Sequence, residues 1–285
     1  MPRNQRENVM KHLLHPAIAA ALALPLMASL PLDETRAQTG PARAYEAPIV
    51  FQAAGPDGAS IQASVDGYRA ALGDVNNGNA PGPLASGRRE INWDGGGSTA
   101  TSIAATPFAG FLNTRGALFV TPGSGFVQAP AAGLADTFSN TDYAAIFAAF
   151  SPVRLFSPIG STVTDVEFFV PGSAGGLPAT TRGFGAIFSD VDLPDGSGPA
   201  DKHGNRKAST LVQYFALNGE LLYSSFVPAS PGDGGFTFLG IVFEDARVAR
   251  VRIRTGNALP GADDERPQDV AVMDDFIFGE PQLAQ

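Results

Sequence analysis

FTFLGIVF (Phe236–Phe243) and VTDVEFFV (Val163–Val170) are two apolar runs of strand length with different periods. In the second, Val166, Phe168 and Val170 share one face, while Asp165, Glu167 and Phe169 share the other. That alternation is the mark of a strand with one face on a core and one toward water. The first run has no polar face, so it predicts a central strand covered on both sides. Working outward, similar short runs recur at Pro48–Ala53, Arg88–Trp93, Ala117–Thr121, Gly125–Gln128, Arg154–Phe156, Gly183–Ser189, Leu211–Leu217, Leu221–Val227, Arg247–Arg254 and Val270–Phe278. Turn residues divide them throughout, with 33 Gly and 23 Pro in 285 residues. Even spacing of short strands predicts an all-β fold, an antiparallel β-sandwich of jelly-roll type.

One short N-terminal helix is expected inside this frame. Ile61, Val65, Tyr68 and Leu72 form one helical stripe, with Ser60 as cap and Gly73 as stop. Asp142–Phe150 reads as a short helix or as extended chain. The stretch GDVNNGNAPGPLASG (Gly73–Gly87) is too rich in Gly, Pro and Asn for a regular element. No repeat or linker is visible, so residues 38–285 are expected to form a single domain.

Composition removes several chemistries. There is no cysteine, hence no disulfide framework, Cys-based zinc site or thiol nucleophile. The three histidines are His12, His15 and His203, too few for a His-rich zinc site once the leader is gone. Lys202 and Lys207 share one loop, so no strand lysine is on hand for an isopeptide bond. A formal net charge of −9 argues against a nucleic-acid partner.

Arg3, Arg6 and Lys11 precede the apolar run Ala17–Leu32, and Thr35-Arg36-Ala37 offers small residues before a cut at Gln38. This is the pattern of a secretory signal peptide over residues 1–37. The alternative, a membrane anchor, is opposed by Pro25 and by a run shorter than the ~20 residues a spanning helix needs. No later segment is long and apolar enough to span. The expected location is periplasmic or secreted.

Four constellations carry oxygen or charge. The first joins the polar loop to the strand after it, through Asp74, Asn76, Asn77, Asn79, Glu90, Asn92 and Asp94. Calcium takes six to eight hard oxygens, which such a loop can supply, and turn chemistry uses the same residues. The second is SDVDLPDGSGPADKHGN (Ser189–Asn205), with Asp190, Asp192, Asp195 and Asp201; it departs from the EF-hand spacing and reads as a calcium or sugar loop, or as a solvated hairpin tip. The third places Asp274 and Asp275 in an apolar strand after the exposed turn Asp263-Asp264-Glu265. One of the pair must face inward, where a carboxylate needs a cation, a metal or an Arg. The fourth is RVARVRIR, with Arg250, Arg252 and Arg254 on one face: a ladder for acidic polysaccharide, or an outer face paired to acids on neighbouring strands.

No nucleophile elbow, phosphate loop or HExxH motif occurs. Trp93, the only tryptophan, is either a sugar-stacking platform or a core residue.

The stretches DTFSNTDYAAIFAAFSPVRLFSPIGSTVTDVEFFVPG, TRGFGAIFSDVD, FTFLGIVFEDARVARVRIRTGN, DVAVMDDFIFGEP and LGDVNNGN…GRREINWDG resemble a group of exported bacterial β-sandwich proteins of unassigned role. Many of these carry a C-terminal PEP-CTERM sorting tag, and the likeness covers most of residues 45–281. The chain ends at GEPQLAQ without that tag, so release to the periplasm or medium is expected. Three functions are compatible with these features: a non-catalytic module binding extracellular glycan or matrix, with structural Ca²⁺; a structural matrix or surface-layer protein; and a carboxylate-based polysaccharide hydrolase.

Overall fold

The two burial periods sort the strands into two sheets. The computed structural model describes residues 46–193, 210–230, 232–262 and 268–284. In chain order its elements are β1 (Ile49–Gly55), α1 (Gly58–Leu72), β2 (Arg88–Ile91), β3 (Ser102–Ala105), α2 (Leu112–Arg115), β4 (Ala117–Val120), β5 (Gly125–Ala129), α3 (Ala131–Phe138), α4 (Tyr143–Ile146), β6 (Leu155–Ile159), β7 (Val163–Phe168), β8 (Ala179–Thr180), β9 (Gly183–Ser189), β10 (Leu211–Phe215), β11 (Leu221–Phe226), β12 (Phe236–Val242), β13 (Arg250–Arg254), β14 (Val272–Gly279) and β15 (Gln282–Leu283). The larger sheet runs β1-β12-β9-β14-β6-β5-β3, and the smaller runs β11-β10-β13-β7-β4; β15 pairs with β8 apart from both. Every strand pair is antiparallel. Strand β14 is flanked on one side by β9, and on the other by β6 and then β2.

The sheets close on a shared core of Trp93, Phe119, Phe126, Phe156, Val166, Phe184, Tyr214, Val251 and Phe276, among others. This is the expected antiparallel sandwich. The smaller sheet alternates, as in β10 and β13, because its second face meets water. The larger sheet does not: β9, β12 and β14 are buried at every residue. Its outer face carries α1, whose Ile61, Val65, Tyr68 and Leu72 pack on Ile187, Phe238 and Ile277. Alongside, α3 and α4 pack Leu134, Phe138 and Tyr143 on Val127, Leu155 and Val272. The unbroken apolar runs therefore belong to a sheet sandwiched between a second sheet and a layer of helices.

Glycines in those runs have a packing reason. Gly185 of β9 lies opposite Gly240 of β12. A Cβ on either would meet the Tyr68 ring, at 2.8 and 2.6 Å respectively. The bare backbone pair is thus the seat of the Tyr68 ring, which fixes α1 on the sheet.

Helix α1 has the expected stripe and ends at Gly73, at φ 121°. Its cap is Asp57 instead of Ser60: Asp57 Oδ1 accepts from Ser60 N at 2.9 Å and from Ser60 Oγ at 2.7 Å. Helix α3, unmarked in the sequence reading, follows Pro130. The Asp142–Phe150 stretch divides into α4 and an extended tail. Among the described residues no helix is long and apolar enough to cross a membrane. Residues 1–37, where a leader is expected, lie outside the described residues.

Candidate functional site

The most unusual chemistry lies in the middle of the larger sheet. Met273 pairs with Phe188 and Phe276 with Ala186, so Asp274 and Asp275 together face the single residue Ile187. This β-bulge spares the sheet the strict in–out alternation of a regular strand. Both side chains reach Ser151: its Oγ donates to Asp275 Oδ1 at 2.6 Å and lies 3.2 Å from Asp274 Oδ1. Asp274 Oδ2 accepts from the Phe150 amide at 2.6 Å. Arg69, in the last turn of α1, has its Nη2 at 3.8 Å from Asp275 Oδ2 and forks onto Glu90 at 3.0 and 3.1 Å.

Asp274 is fully buried and Asp275 is 4% exposed. Burial pushes the Asp274 carboxyl well above the usual range, and the Asp275 charge beside it adds to this. Burial also raises Asp275, while hydrogen bonds from Ser151 and Asp274 hold it lower. Asp274 therefore keeps a proton and donates it to Asp275. The expected inward carboxylate is in fact a pair, balanced by one shared proton, Ser151 and Arg69.

Trp93 lies against the same seam. Its indole is fully buried, stacks on Phe156 at 3.8 Å, and donates from Nε1 to the Asp274 carbonyl at 2.8 Å. The stacking-platform alternative is corrected: Trp93 is core, because only the inter-sheet space holds its ring partners Phe111, Phe119, Phe156 and Phe276. Its backbone stands at φ 63°. That costs about 1–2 kcal/mol, well under the ~5 kcal/mol expected from burying some 200 Å² of indole. Asp94 next in sequence fixes the opposite chain, with Oδ1 accepting from the amides of Val153 at 2.5 Å and Arg154 at 2.8 Å.

The rest of the first constellation goes elsewhere. The Asp74 carbonyl accepts from Arg88 Nη1 at 2.5 Å, and Asn76 Oδ1 closes a turn onto Gly78 N. Asn77 donates to the Ser86 carbonyl and to Glu280 Oε2, each at 2.8 Å. Beneath the loop, the buried Arg89 forms a two-pronged pair with Glu280, both contacts at 2.7 Å, and reaches the carbonyls of Gly78 and Thr114. Guanidinium groups thus supply positive charge at the loop positions where calcium was expected. Glu90, through Arg69, and Trp93, through the Asp274 carbonyl, reach the Asp274–Asp275 seam, whereas Asp94 holds the Val153 and Arg154 amides.

Asp190 and Asp192 lie past the end of β9. Asp190 is buried at φ 66°, and the Asp192 amide donates to Asp269 Oδ1 at 3.2 Å. Burial raises the Asp269 carboxyl to about 6. Asp195, Asp201, Asp263, Asp264 and Glu265 lie outside the described residues, as do Lys202, His203 and Lys207.

The arginine face takes the paired form. Arg252 forks onto Asp165 at 2.8 and 2.9 Å, and Arg250 contacts the same carboxylate at 3.0 Å while lying 4.0 Å over the Phe215 ring. Arg254 is exposed. Ser224, Gln213, Arg252 and Asp165 stand in one cross-strand row. A row through Phe226, Leu211, Arg254 and Val163 lies on one side of it, and a row through Leu221, Phe215, Arg250, Glu167 and Leu118 on the other.

The molecule so defined is a helix-backed antiparallel sandwich in which, among the described residues, nothing covers the outer face of the smaller sheet. Comparison of the chain with protein-family models, curated proteins and solved structures found no match. Sequence reasoning missed Arg69, Arg89, Ser151, Gln213 and Glu280. Nothing local marks them, since their partners come from distant parts of the chain.

Proposed function

We propose that the protein is an exported, non-catalytic binding module that holds an extracellular polysaccharide on the outer face of its five-stranded sheet. One observation carries this reading. The larger sheet is roofed by helices, while among the described residues the smaller sheet leaves open a row of hydroxyl, amide, guanidinium and carboxylate groups flanked by two rows in which half-exposed apolar residues stand beside Arg254 on one side and Arg250 and Glu167 on the other. Sugar rings need that combination, polar groups for their hydroxyls and flat apolar surface for their C–H faces. Arg250 and Arg252 are pre-set by Asp165 and Phe215, so little side-chain freedom is lost on binding. The secretory leader pattern and the resemblance to exported sandwich proteins support the location.

A hydrolase would need two acids facing each other across an open cleft. The raised pair here is buried and shares one strand, which favours a structural part for it.

The test is retention on a panel of acidic and neutral polysaccharides, followed by titration of the retained one. Gln213→Ala and Arg252→Ala should each weaken binding at least tenfold, about 1.4 kcal/mol. Retention of no polysaccharide, or affinity indifferent to both changes, would overturn the proposal.

A further inference from the structure

The two sheets have four lateral edges, and three are short or broken. Strand β3 has four residues; β4 has four and is bridged by Phe108 at Phe119; β11 has an irregular register against β10. Strand β1 is different. It runs seven residues, Ile49–Gly55, in unbroken register with β12, and among the described residues nothing pairs with its other edge. It contains no charge, no proline and no bulge, the usual devices that protect an edge from pairing. Ile49 is 60% exposed and Val50 is 38% exposed.

The sequence of this strand is complementary to itself when reversed. Large residues fill its first half and small ones its second: Pro48-Ile-Val-Phe-Gln52-Ala-Ala-Gly-Pro56. An antiparallel pairing centred on Gln52 sets Ile49 opposite Gly55, Val50 opposite Ala54, and Phe51 opposite Ala53. Gln52 then faces Gln52 of the second copy. Pro48 and Pro56 bracket the strand, and having no amide hydrogen they confine the ladder to these seven residues. The nearest charges, Glu46 and Asp57, fall opposite Gly58 and Ala47, so no like charges meet in a chain of net charge −9. Beside the edge an open groove of about 640 Å³, lined by Gln52 and Ser224–Ala229, leaves room between β1 and β11 for an incoming chain.

We infer that β1 is a self-association edge: two copies of this chain pair β1 to β1 about a two-fold axis at Gln52 and join their larger sheets into one. A closed two-fold contact of this kind uses one surface twice and stops at the dimer. The inference does not rest on the polysaccharide reading, because the pairing is made by the β1 backbone and centred on Gln52, outside the smaller sheet.

The absence of cysteine makes the test clean. Directly opposed residues in an antiparallel pair have Cα atoms about 4.5–5.5 Å apart, within the range a disulfide spans. Under mild oxidation Gln52→Cys should give a covalent dimer, while Ile103→Cys, on the exposed edge strand β3, should give no covalent dimer. Light scattering after gel filtration should give twice the chain mass for the unmodified protein. Gln52→Lys, which places like charges on the axis, should raise the dissociation constant at least tenfold. Ile103→Lys should leave it unchanged, and melting curves of both lysine variants, taken well below the dissociation constant, should match the parent. A protein that is monomeric throughout, or a dimer indifferent to Gln52→Lys, would overturn the inference.

Discussion

Replacing Glu280 by alanine removes the carboxylate that neutralises Arg89 at the base of the polar loop. Four hydrogen bonds are lost at once: two from Arg89 at 2.7 Å, one from Asn77 Nδ2 at 2.8 Å and one from the Leu84 amide at 3.1 Å. The guanidinium cannot swing out to water, because Arg89 is fully buried and its Nη1 is tied to the carbonyls of Gly78 and Thr114. Breaking a buried pair from one side costs about 3–5 kcal/mol, most of it from the charge left behind. For a domain of this size, that is roughly 6–20 °C of melting temperature. Asp245→Ala, which removes the exposed partner of Arg247, should cost at most about 1 kcal/mol. The double variant Arg89→Met, Glu280→Leu should melt above Glu280→Ala, since no charge is stranded. Hydrogen exchange should show loss of protection at the Leu84 amide first. If Glu280→Ala melts within about 2 °C of the parent, the loop does not depend on this pair and the reasoning fails.

Three further outcomes follow from the geometry. Because Asp274 has a raised pKa, the folded chain holds more protons than the unfolded one above pH ~4, so stability falls as pH rises through that window. Asp269, raised to about 6, adds a slope of the same sign between pH ~4 and about 6. Asp274→Asn keeps the site neutral, so urea melts at pH 5, 7 and 9 should show a flatter fall than the parent; an equal slope would assign the proton elsewhere. Trp93→Ala should cost about 3–5 kcal/mol, and the parent's single-tryptophan emission should resist quenching by acrylamide; strong quenching would place the indole at the surface. Melting with EGTA and then with added Ca²⁺ should move the midpoint by less than about 1 °C if guanidinium groups already fill the loop; a clear rise with Ca²⁺ would establish a metal site, because a ligand of the folded state must stabilise it.

The architecture was legible because burial writes itself into sequence period. Val166 and Phe168 could be placed inward from alternation alone, and the stripe of α1 from its spacing. The FTFLGIVF run was rightly read as covered on both faces, although β12 is next to the edge and owes its cover to α1, not to a central place. Helix α3 escaped notice because its apolar face is only Leu134, Ala135 and Phe138, too few to set a period. Asp274 and Asp275 could be flagged as costly, but period-two reasoning points only one of them inward. The bulge that lets both reach Ser151 is a property of pairing with β9, which no local pattern encodes. Glu280 was invisible for a related reason: a single acid after a strand acquires meaning only through Arg89, far away in the chain.

Among the described residues, the strand at the middle of the larger sheet, β14, follows thirteen other strands in chain order. Without residues 272–279 nothing links the β1-β12-β9 half of the sheet to β2 or β6, and the acid seam has no carboxylates. Folding must therefore wait for the tail of the chain and proceed through contacts of long sequence separation, which makes it slow. A product cut short before Val272 would lose its keystone, and it would carry the phenylalanines of both layers exposed to whatever it met.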